Sequence, residues 1–441
     1  MSTTETRPPV VPVVAEQVPG SPERVKSPKR SVLELIAAAV IISAAAVALG
    51  ATDLLIVIVC IIVMVMVHEA GHLMAAKHGG MKVTEYFLGF GPRLWSFRWG
   101  ETEYGVKAFP LGGYVKIPGM TNLEEVDPAD EPRTYRQQPF HARLLVAVAG
   151  SAMHFIMAFV LLWSLLAFVG LPNSGQIQIQ RMNDVGGGQS PAAAGGLKVG
   201  DIVVSVDGKL VAGNVDQLTK AIQSHPDTPV SVVVDRDGSE HTLTLTPANG
   251  RIEGEKGMVA PAGTAPFGVL GISLGSPVQR ATPLHALGST GADLVHFTWA
   301  SVVGVADLFS PSHVAARFDQ VASAKAANQA AANGTRVESI YGAVRTAGQA
   351  AQAGIGDLLI ILISINIFVG IFNLFPMLPL DGGHVAIAIY EKIRTGKRKV
   401  MYHADVAKLM PFTWLMLMFL AVLFATSLLT DILHPMANPF S

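Results

Sequence analysis

The sequence predicts a polytopic α-helical membrane protein with about four or five transmembrane helices, a cytosolic-side β-hairpin region and an α+β domain outside the membrane. Charged residues form only 15% of the 441-residue chain, whereas a typical soluble domain has about 25%. The mean hydropathy is +0.42. Several apolar runs also approach the roughly 20 residues that a helix needs to cross a bilayer. Composition and run length together indicate a membrane protein.

Net charge and cysteine content narrow the functional classes. The formal net charge is −1, so nothing in the composition favours nucleic acid as a partner. Cys60 is the only cysteine and lies in an apolar run, so a disulfide within the chain is excluded. A thiolate metal site is disfavoured for the same reason, which leaves histidines and carboxylates as candidate ligands.

Hydropathy and basic residues predict the topology. Five apolar runs are long enough to span a bilayer: 32–50, 54–76, 144–169, 357–375 and 411–429. With five spans, the three regions rich in Lys and Arg fall on one side, which the positive-inside rule makes cytoplasmic. Four spans would keep the later topology and move the basic N-terminal tail outside. We therefore expect a multi-pass protein of the cell membrane, in which the end of the second span, with its histidine pair, lies toward the cytoplasm.

The same patterns divide the chain into segments. From the N-terminus, these are a disordered cytoplasmic tail (1–30), transmembrane helices 1 and 2 with a histidine motif (31–78), a cytosolic-side β-hairpin and membrane-associated region (79–143), transmembrane helix 3 (144–170), an external α+β domain (176–248), an external strand and Ala-rich helices (249–355), transmembrane helix 4 (356–385), a basic cytoplasmic loop (386–410), transmembrane helix 5 (411–430) and a C-terminal tail (431–441).

A histidine pair lies near the end of the second span. Residues 68–72 read His-Glu-Ala-Gly-His, so a helix places His68 and His72 one turn apart, where both imidazoles can reach one metal ion. Glu69 lies beside them and can take a proton from an attacking water. Polar side chains at membrane depth are costly and are functional candidates by default. The motif predicts metal-assisted hydrolysis within the membrane.

Two residues compete for the third position of a zinc site, which normally has three protein ligands. His78 follows His72 by six residues, as in one class of zinc peptidases, but Ala75 stands where that class has glycine. Asp381 lies in the segment Asn373–His384, where two prolines interrupt the chain at the end of the fourth span. An aspartate there could simply cap the next helix. A carboxylate in broken backbone at membrane depth nevertheless favours Asp381 as the ligand.

The two motifs together resemble the site-2 protease family of intramembrane zinc metalloproteases. Its members combine a membrane-embedded His-Glu-x-x-His with a downstream Asn-x-x-Pro-x-x-Pro-x-Asp-Gly, and this chain matches both, at 68–72 and 373–382. The resemblance implies Zn²⁺ as the cofactor and single-pass transmembrane proteins, such as anti-sigma factors, as substrates. The site residues that it implies are His68, His72 and Asp381 as zinc ligands, Glu69 as the general base and Asn373 as a substrate-binding residue.

The likeness extends to the region between the second and third spans. Gly89–Pro92 and Pro110–Pro118 resemble the cytosolic-side β-hairpin and membrane-associated loop of bacterial members. From the residue pattern alone, Glu103–Ile117 is predicted to form alternating strands broken by Gly112 and Gly113. Such an edge could accept an unwound substrate by strand addition, or it could simply cover the active site. Both glycines are candidate substrate-binding residues.

One position departs from the family pattern. Bacterial members often carry Ala-Gly-Pro-x-x-Asn at the start of the helix before the external domain, whereas this chain has Ala149-Gly-Ser-Ala-Met-His154. His154 is either a buried histidine with satisfied hydrogen bonds, which we favour, or a residue that approaches the metal site.

The external region 176–248 has the clearest pattern of a folded domain. Gly200-Asp201, Asp207-Gly208 and Asp237-Gly238 mark turns between β-type runs, and 215–224 has a helical pattern. This region resembles a single PDZ domain of the circularly permuted bacterial type. Such a domain would bind a peptide ligand by strand addition or act as a steric filter against bulky substrates.

Two functional classes follow from these patterns. The preferred one is a zinc-dependent intramembrane endopeptidase, whose substrate helix must unwind locally within the lipid bilayer before cleavage. The alternative is a non-proteolytic membrane metal-binding or transport protein. A transporter would need a polar path across the bilayer and usually internal repeats, and the sequence shows neither.

Overall fold

The computed structural model describes residues 28–120, 124–185, 189–250, 266–396 and 402–440, with side chains from residue 36 onward except at position 111. Residues 1–27 of the predicted disordered tail (1–30) therefore lie outside the described residues. The basic residues 397–399 of the predicted cytoplasmic loop also lie outside them.

Long apolar helices dominate the described part of the chain. The helices are α1 (Pro28–Ala48), α2 (Thr52–His78), α3 (Phe140–Ser164), α4 (Pro191–Ala194), α5 (Val215–Gln223), α6 (Pro283–Leu308), α7 (Pro311–Ala322), α8 (Ala324–Ala332), α9 (Ile340–Ala353), α10 (Ile355–Asn373), α11 (Asp381–Thr395) and α12 (Met410–Leu433). A π-helical turn, Leu165–Val169, extends α3.

Four helical segments among the described residues are long and apolar enough to cross a membrane. They are Thr52–His78, Phe140–Val169, Ile355–Asn373 and Val406–Leu433. The pair α6 and α7, which meet at a bend of 77°, would count as a fifth. The described apolar part of α1, Ile36–Ala48, is shorter than a span. The prediction of a polytopic α-helical membrane protein with four or five spans is confirmed, but the fifth candidate among the described residues is the α6–α7 pair and not the predicted first span, 32–50.

Helix α3 lies at the centre of the helix packing, in contact with α2, α6, α10 and α11. Small residues permit close approach, since a Cβ atom on Gly71 of α2 would lie 2.6 Å from the backbone oxygen of Ala149 in α3. On another side of α3, Leu162 packs against Ile367 of α10, and both are buried. Helices in a bilayer gain no hydrophobic drive toward each other, so tight packing of this kind holds the spans together.

The predicted hairpin consists of two long antiparallel strands, β1 (Glu85–Trp99) and β2 (Thr102–Lys116). The first half of β1 pairs with both halves of β2, so Tyr86 lies opposite Tyr104 on one side and Val115 on the other. The second half of β2 therefore lies at an edge of this sheet. The Tyr86 hydroxyl donates to the backbone oxygen of Met66 at 2.6 Å, which attaches the hairpin to α2 beside the histidine motif.

The region after α3 contains a second antiparallel sheet. Its strands and their short companions are β3 (Leu171–Pro172), β4 (Ile177–Met182), β5 (Ile202–Val206), β6 (Lys209–Leu210), β7 (Val230–Arg236), β8 (Ser239–Leu245), β9 (Ala248–Asn249), β10 (Gly268–Val269), β11 (Ile272–Gly275) and β12 (Val278–Gln279). The strand order is β11-β4-β5-β7-β8, with β6 paired to β5. A buried core that includes Ile179, Val203 and Leu245 lies between this sheet and its helices. Strand β11 lies beyond the predicted boundary at residue 248 and completes the sheet.

The Ala-rich region after this sheet forms α6 to α9. Phe309, at the bend between α6 and α7, stacks on Phe375 and Phe419, with ring centroids 4.3 and 4.9 Å apart. Ala347 of α9 packs in one buried cluster with Val57 of α2. The residue spacing predicts helices here, whereas these contacts with the spans come only from the tertiary structure.

Candidate active site

Three candidate ligands meet where two helices approach each other. The Nε2 atoms of His68 and His72, on α2, are 3.2 Å apart. Oδ2 of Asp381, the first residue of α11, lies 3.5 Å from Nε2 of His68 and 3.3 Å from Nε2 of His72. Within the described residues, this is the single cluster of His, Cys, Asp or Glu with metal-site spacing. His78, the competing third ligand, is exposed at the end of α2 and is not part of the cluster.

This triangle of ligand atoms fits a zinc ion. Zinc bonds to imidazole nitrogen and carboxylate oxygen are about 2.0–2.1 Å long and nearly tetrahedral, which separates neighbouring ligand atoms by about 3.3–3.4 Å. The three observed separations, 3.2, 3.3 and 3.5 Å, match that value. Oδ2 of Asp381 is buried with no hydrogen-bond partner apart from the facing imidazoles, and a buried carboxylate needs a cation to offset its desolvation.

The third transmembrane helix supports both histidines. Nδ1 of His72 donates to the backbone oxygen of Val146 at 2.8 Å, which leaves the Nε2 lone pair free for a metal ion. Gly150, one turn further along α3, lies against both imidazoles. A side chain there would collide with His72, and its Cβ atom would lie 2.5 Å from Cε1 of His68. The backbone of α3 therefore forms a wall of the site that only glycine permits.

Glu69 lies under the hairpin. A Cβ atom on Gly113 of β2 would lie 3.0 Å from Cγ of Glu69, so the absence of a side chain at position 113 makes room for the glutamate. Gly112 has a φ of +146°, in the region that favours glycine. The Glu69 carboxyl group is close enough to interact electrostatically with His72 and Asp381. The hairpin edge, the candidate base and the ligand cluster thus form one continuous site.

Comparison with known proteins decides the family. The model of peptidase family M50 matches residues 56–419, a range that contains both motifs. The chain belongs to peptidase family M50, the site-2 protease family. It is similar to zinc metalloprotease Rip1 of Mycobacterium tuberculosis, with 32% identity over 87% of this chain and 98% of the relative. Membrane metalloprotease ARASP of Arabidopsis thaliana is 26% identical over 76% of this chain and 70% of that protein.

Membership of family M50 confirms the predicted activity. The chain is a multi-pass membrane metallopeptidase that hydrolyses peptide bonds with zinc as its cofactor. The alternative of a non-proteolytic metal-binding or transport protein is not supported. Protein substrates follow from the activity.

In this M50 chain, a compact loop between α10 and α11 positions Asp381. Gly382 packs against the backbone of Leu374, and Gly383 packs against the backbone of the following turn of the loop, so a side chain at either position would collide. The glycine pair therefore allows the loop to fold onto the start of α11. Asn373 is the last residue of α10 and is half-buried. Its contact with substrate stays a prediction.

His154 is a buried histidine next to the ligand cluster. Its Nδ1 atom donates to Oδ1 of Asn366 at 3.0 Å, and the amide group of Asn366 donates to the backbone oxygen of Leu362 at 2.8 Å. Its ring centroid lies 5.0 Å from that of His68, yet it is outside the metal-spaced cluster. The hydropathy pattern does not single out Asn366. Its signal is an amide in the middle of a predominantly apolar transmembrane helix, where polar residues are costly.

Proposed function

We propose that His68, His72 and Asp381 hold the catalytic zinc and that Glu69 is the general base in cleavage of peptide bonds within transmembrane segments. The near-equilateral triangle of ligand atoms is the observation that carries this proposal. It joins a motif on α2 to a residue about 300 positions later in the chain, which chance packing of apolar helices would not produce.

The chemistry follows from the positions of these groups. When bound, zinc supplies a Lewis acid that polarises the scissile carbonyl and makes water a better nucleophile. Glu69 accepts the proton of the attacking water and later donates it to the leaving amine. Its carboxyl group must therefore lie within reach of both the water and the leaving nitrogen. The Val146 backbone oxygen keeps His72 in the tautomer whose Nε2 faces the ligand cluster.

Substrate binding is assigned to the edge of the hairpin. A transmembrane helix has its backbone hydrogen bonds satisfied internally, so the substrate must unwind before its carbonyl groups become accessible. The second half of β2 pairs with β1 on one side, and among the described strands no other one covers its outer edge. An unwound substrate added to that edge would pass Gly113 and the base. Gly112, Gly113 and Asn373 are the proposed substrate-binding residues.

The substrate class and the sidedness belong to the same proposal. Single-pass transmembrane proteins, for example anti-sigma factors, fit a site that opens between spans. The basic segments predict that the ends of α2 and α10, and therefore the ligand cluster, face the cytoplasm. The β4–β11 domain then lies outside, where a PDZ-type fold would bind extended peptides or exclude bulky proteins.

Matched substitutions test the roles of the site residues. Glu69→Gln should retain zinc and lower the cleavage rate of a reporter transmembrane substrate by at least about 10²–10⁴-fold, the contribution of a general base. Asp381→Asn should lose zinc, and His78→Ala serves as the control that keeps it. Cleavage at the normal rate by Glu69→Gln would refute the assignment of the base. Zinc loss in His78→Ala rather than Asp381→Asn would refute the ligand set.

A further inference from the structure

A buried ion pair lies one helical turn from Val146, whose backbone oxygen holds the candidate ligand His72. Arg143 of α3 donates to the carboxylate of Glu391 in α11, and the two side chains are only 4% and 6% exposed. The other carboxylate oxygen of Glu391 accepts from the backbone N–H of Ala404 at 2.6 Å. Burying two charges costs about as much as their attraction returns. Net stability alone therefore gives no reason for this pair.

The pair connects the helices that support the two halves of the zinc site. Arg143 lies one turn before Val146, whose backbone oxygen holds His72. Glu391 lies on α11, the helix that begins with Asp381. A continuous path of contacts thus runs from His72 through α3 and the ion pair to α11. Arg143 and Glu391 are 248 positions apart, so their contact constrains the tertiary structure and not a local turn.

The surroundings of the pair leave it little freedom. The Tyr135 hydroxyl donates to the backbone oxygen of Arg143 at 3.2 Å, and its ring lies 6.0 Å from the guanidinium group. The same ring meets that of His384, three residues after Asp381, at a centroid distance of 6.3 Å. A cavity of about 20 Å³ borders Arg143, His384 and Glu391, which is room for about one water molecule. The start of α11 is therefore held against α3 from several directions.

We propose that Arg143 and Glu391 are positioning residues that set the distance between Asp381 and the two histidines. The proposal rests on the ligand set proposed above. Apolar contacts between helices in a bilayer have no hydrophobic drive, because lipid and side chains are equally apolar. A paired charge with a single hydrogen-bonded geometry adds a directional contact that fixes the register, which is the best-attested use of buried polar pairs. The pair thus specifies the register of α11 on α3.

Glu391→Gln tests the proposal in the full-length protein in detergent. Zinc affinity, measured by competition with a chromophoric chelator, should fall about 10–100-fold, the usual effect of losing support for a ligand. The visible spectrum of the Co²⁺-loaded protein should change as well, because it reports ligand geometry. The control is Asp431→Asn, since Asp431 pairs with Arg336 at 2.8 Å and both side chains are equally buried, at 1% and 2% exposure. This control should lower thermal stability and leave zinc affinity and the Co²⁺ spectrum unchanged.

Four outcomes are decisive. Wild-type zinc affinity in Glu391→Gln, or an equal loss in Asp431→Asn, would overturn the proposal. If Glu391→Gln does not fold, the double variant Arg143→Met with Glu391→Met replaces it, because apolar side chains of similar size often substitute for a buried pair. Normal zinc affinity in the double variant would also overturn the proposal. Asp381→Asn tests the ligand set separately from the positioning role, because zinc retained in that variant would refute the ligand set.

Discussion

Gly150→Ala is the smallest change that should damage the zinc site from outside the ligand set. The added Cβ atom would collide with the His72 ring and lie 2.5 Å from Cε1 of His68, whereas carbon atoms pack at about 3.5–4.0 Å. The rings or the helices must therefore separate by about 1 Å. Overpacking of this size costs about 1–3 kcal/mol. Since about 1.4 kcal/mol corresponds to a factor of ten, zinc affinity should fall about 5–150-fold.

The assay is chelator competition in detergent, combined with the cleavage rate of a reporter transmembrane substrate. Gly348→Ala is the matched control, because Gly348 lies within helix α9 and a Cβ atom there meets nothing within 4 Å. Both substitutions gain the same helix propensity, which stabilises by roughly 0.5–1 kcal/mol. A Gly150→Ala protein that binds zinc as tightly as Gly348→Ala would refute the close contact between α3 and the imidazoles.

Two further predictions concern buried polar groups. Asn366→Leu removes the acceptor of the His154 N–H, and an unsatisfied buried donor costs about 1–3 kcal/mol, so the melting temperature in detergent should fall. The control is Ser364→Ala, on the exposed side of α10, which should leave the melting temperature unchanged. Equal melting temperatures for the two variants would contradict the hydrogen bond. In the β4–β11 domain, burial raises the pKa of Asp201, but hydrogen bonds from Arg236 outweigh this, so that the pKa lies below its usual value. Its contribution to stability is therefore complete above the ordinary aspartate pKa of about 3.9 and is lost as the pH falls through the lower folded-state pKa. Protection of the β5 and β7 amides from hydrogen exchange, corrected for intrinsic rates, should therefore fall in acid in the wild-type protein. The same fall in Asp201→Asn would show that the Asp201 carboxylate is not its cause.

Local patterns predicted most of the architecture. Hydropathy identified the segments that form α2, α3, α10 and α12, because the length of an apolar run and the thickness of a bilayer decide whether a helix can span. Turn residues such as Asp207-Gly208 separated the strands of the β4–β11 sheet. The predicted end of this domain at residue 248 was too early, because β11 pairs with β4. No local sequence pattern predicts that pairing.

The interior contacts could not be predicted in this way. His154 and Asn366 are each visible as polar residues in apolar helices, yet their hydrogen bond joins positions 212 apart. Phe309 carries no signal that it stacks on Phe375. Such contacts depend on the angles and registers at which helices pack, and those are set by the complete set of side chains at each interface.

The sequence by itself determined the class of this protein and the chemistry of its motif. An apolar helix that carries His68, Glu69 and His72 within about one turn can be recognised locally, because helical geometry places them together wherever the chain lies. The sequence favoured Asp381 over His78 as the third member, but only the tertiary structure shows that it meets the two histidines. Asp381 stands 3.3–3.5 Å from the two imidazoles and His78 does not join them. The physical reason is that a metal site requires distances accurate to a few tenths of an ångström, which only the packing of α2, α3 and α11 can set.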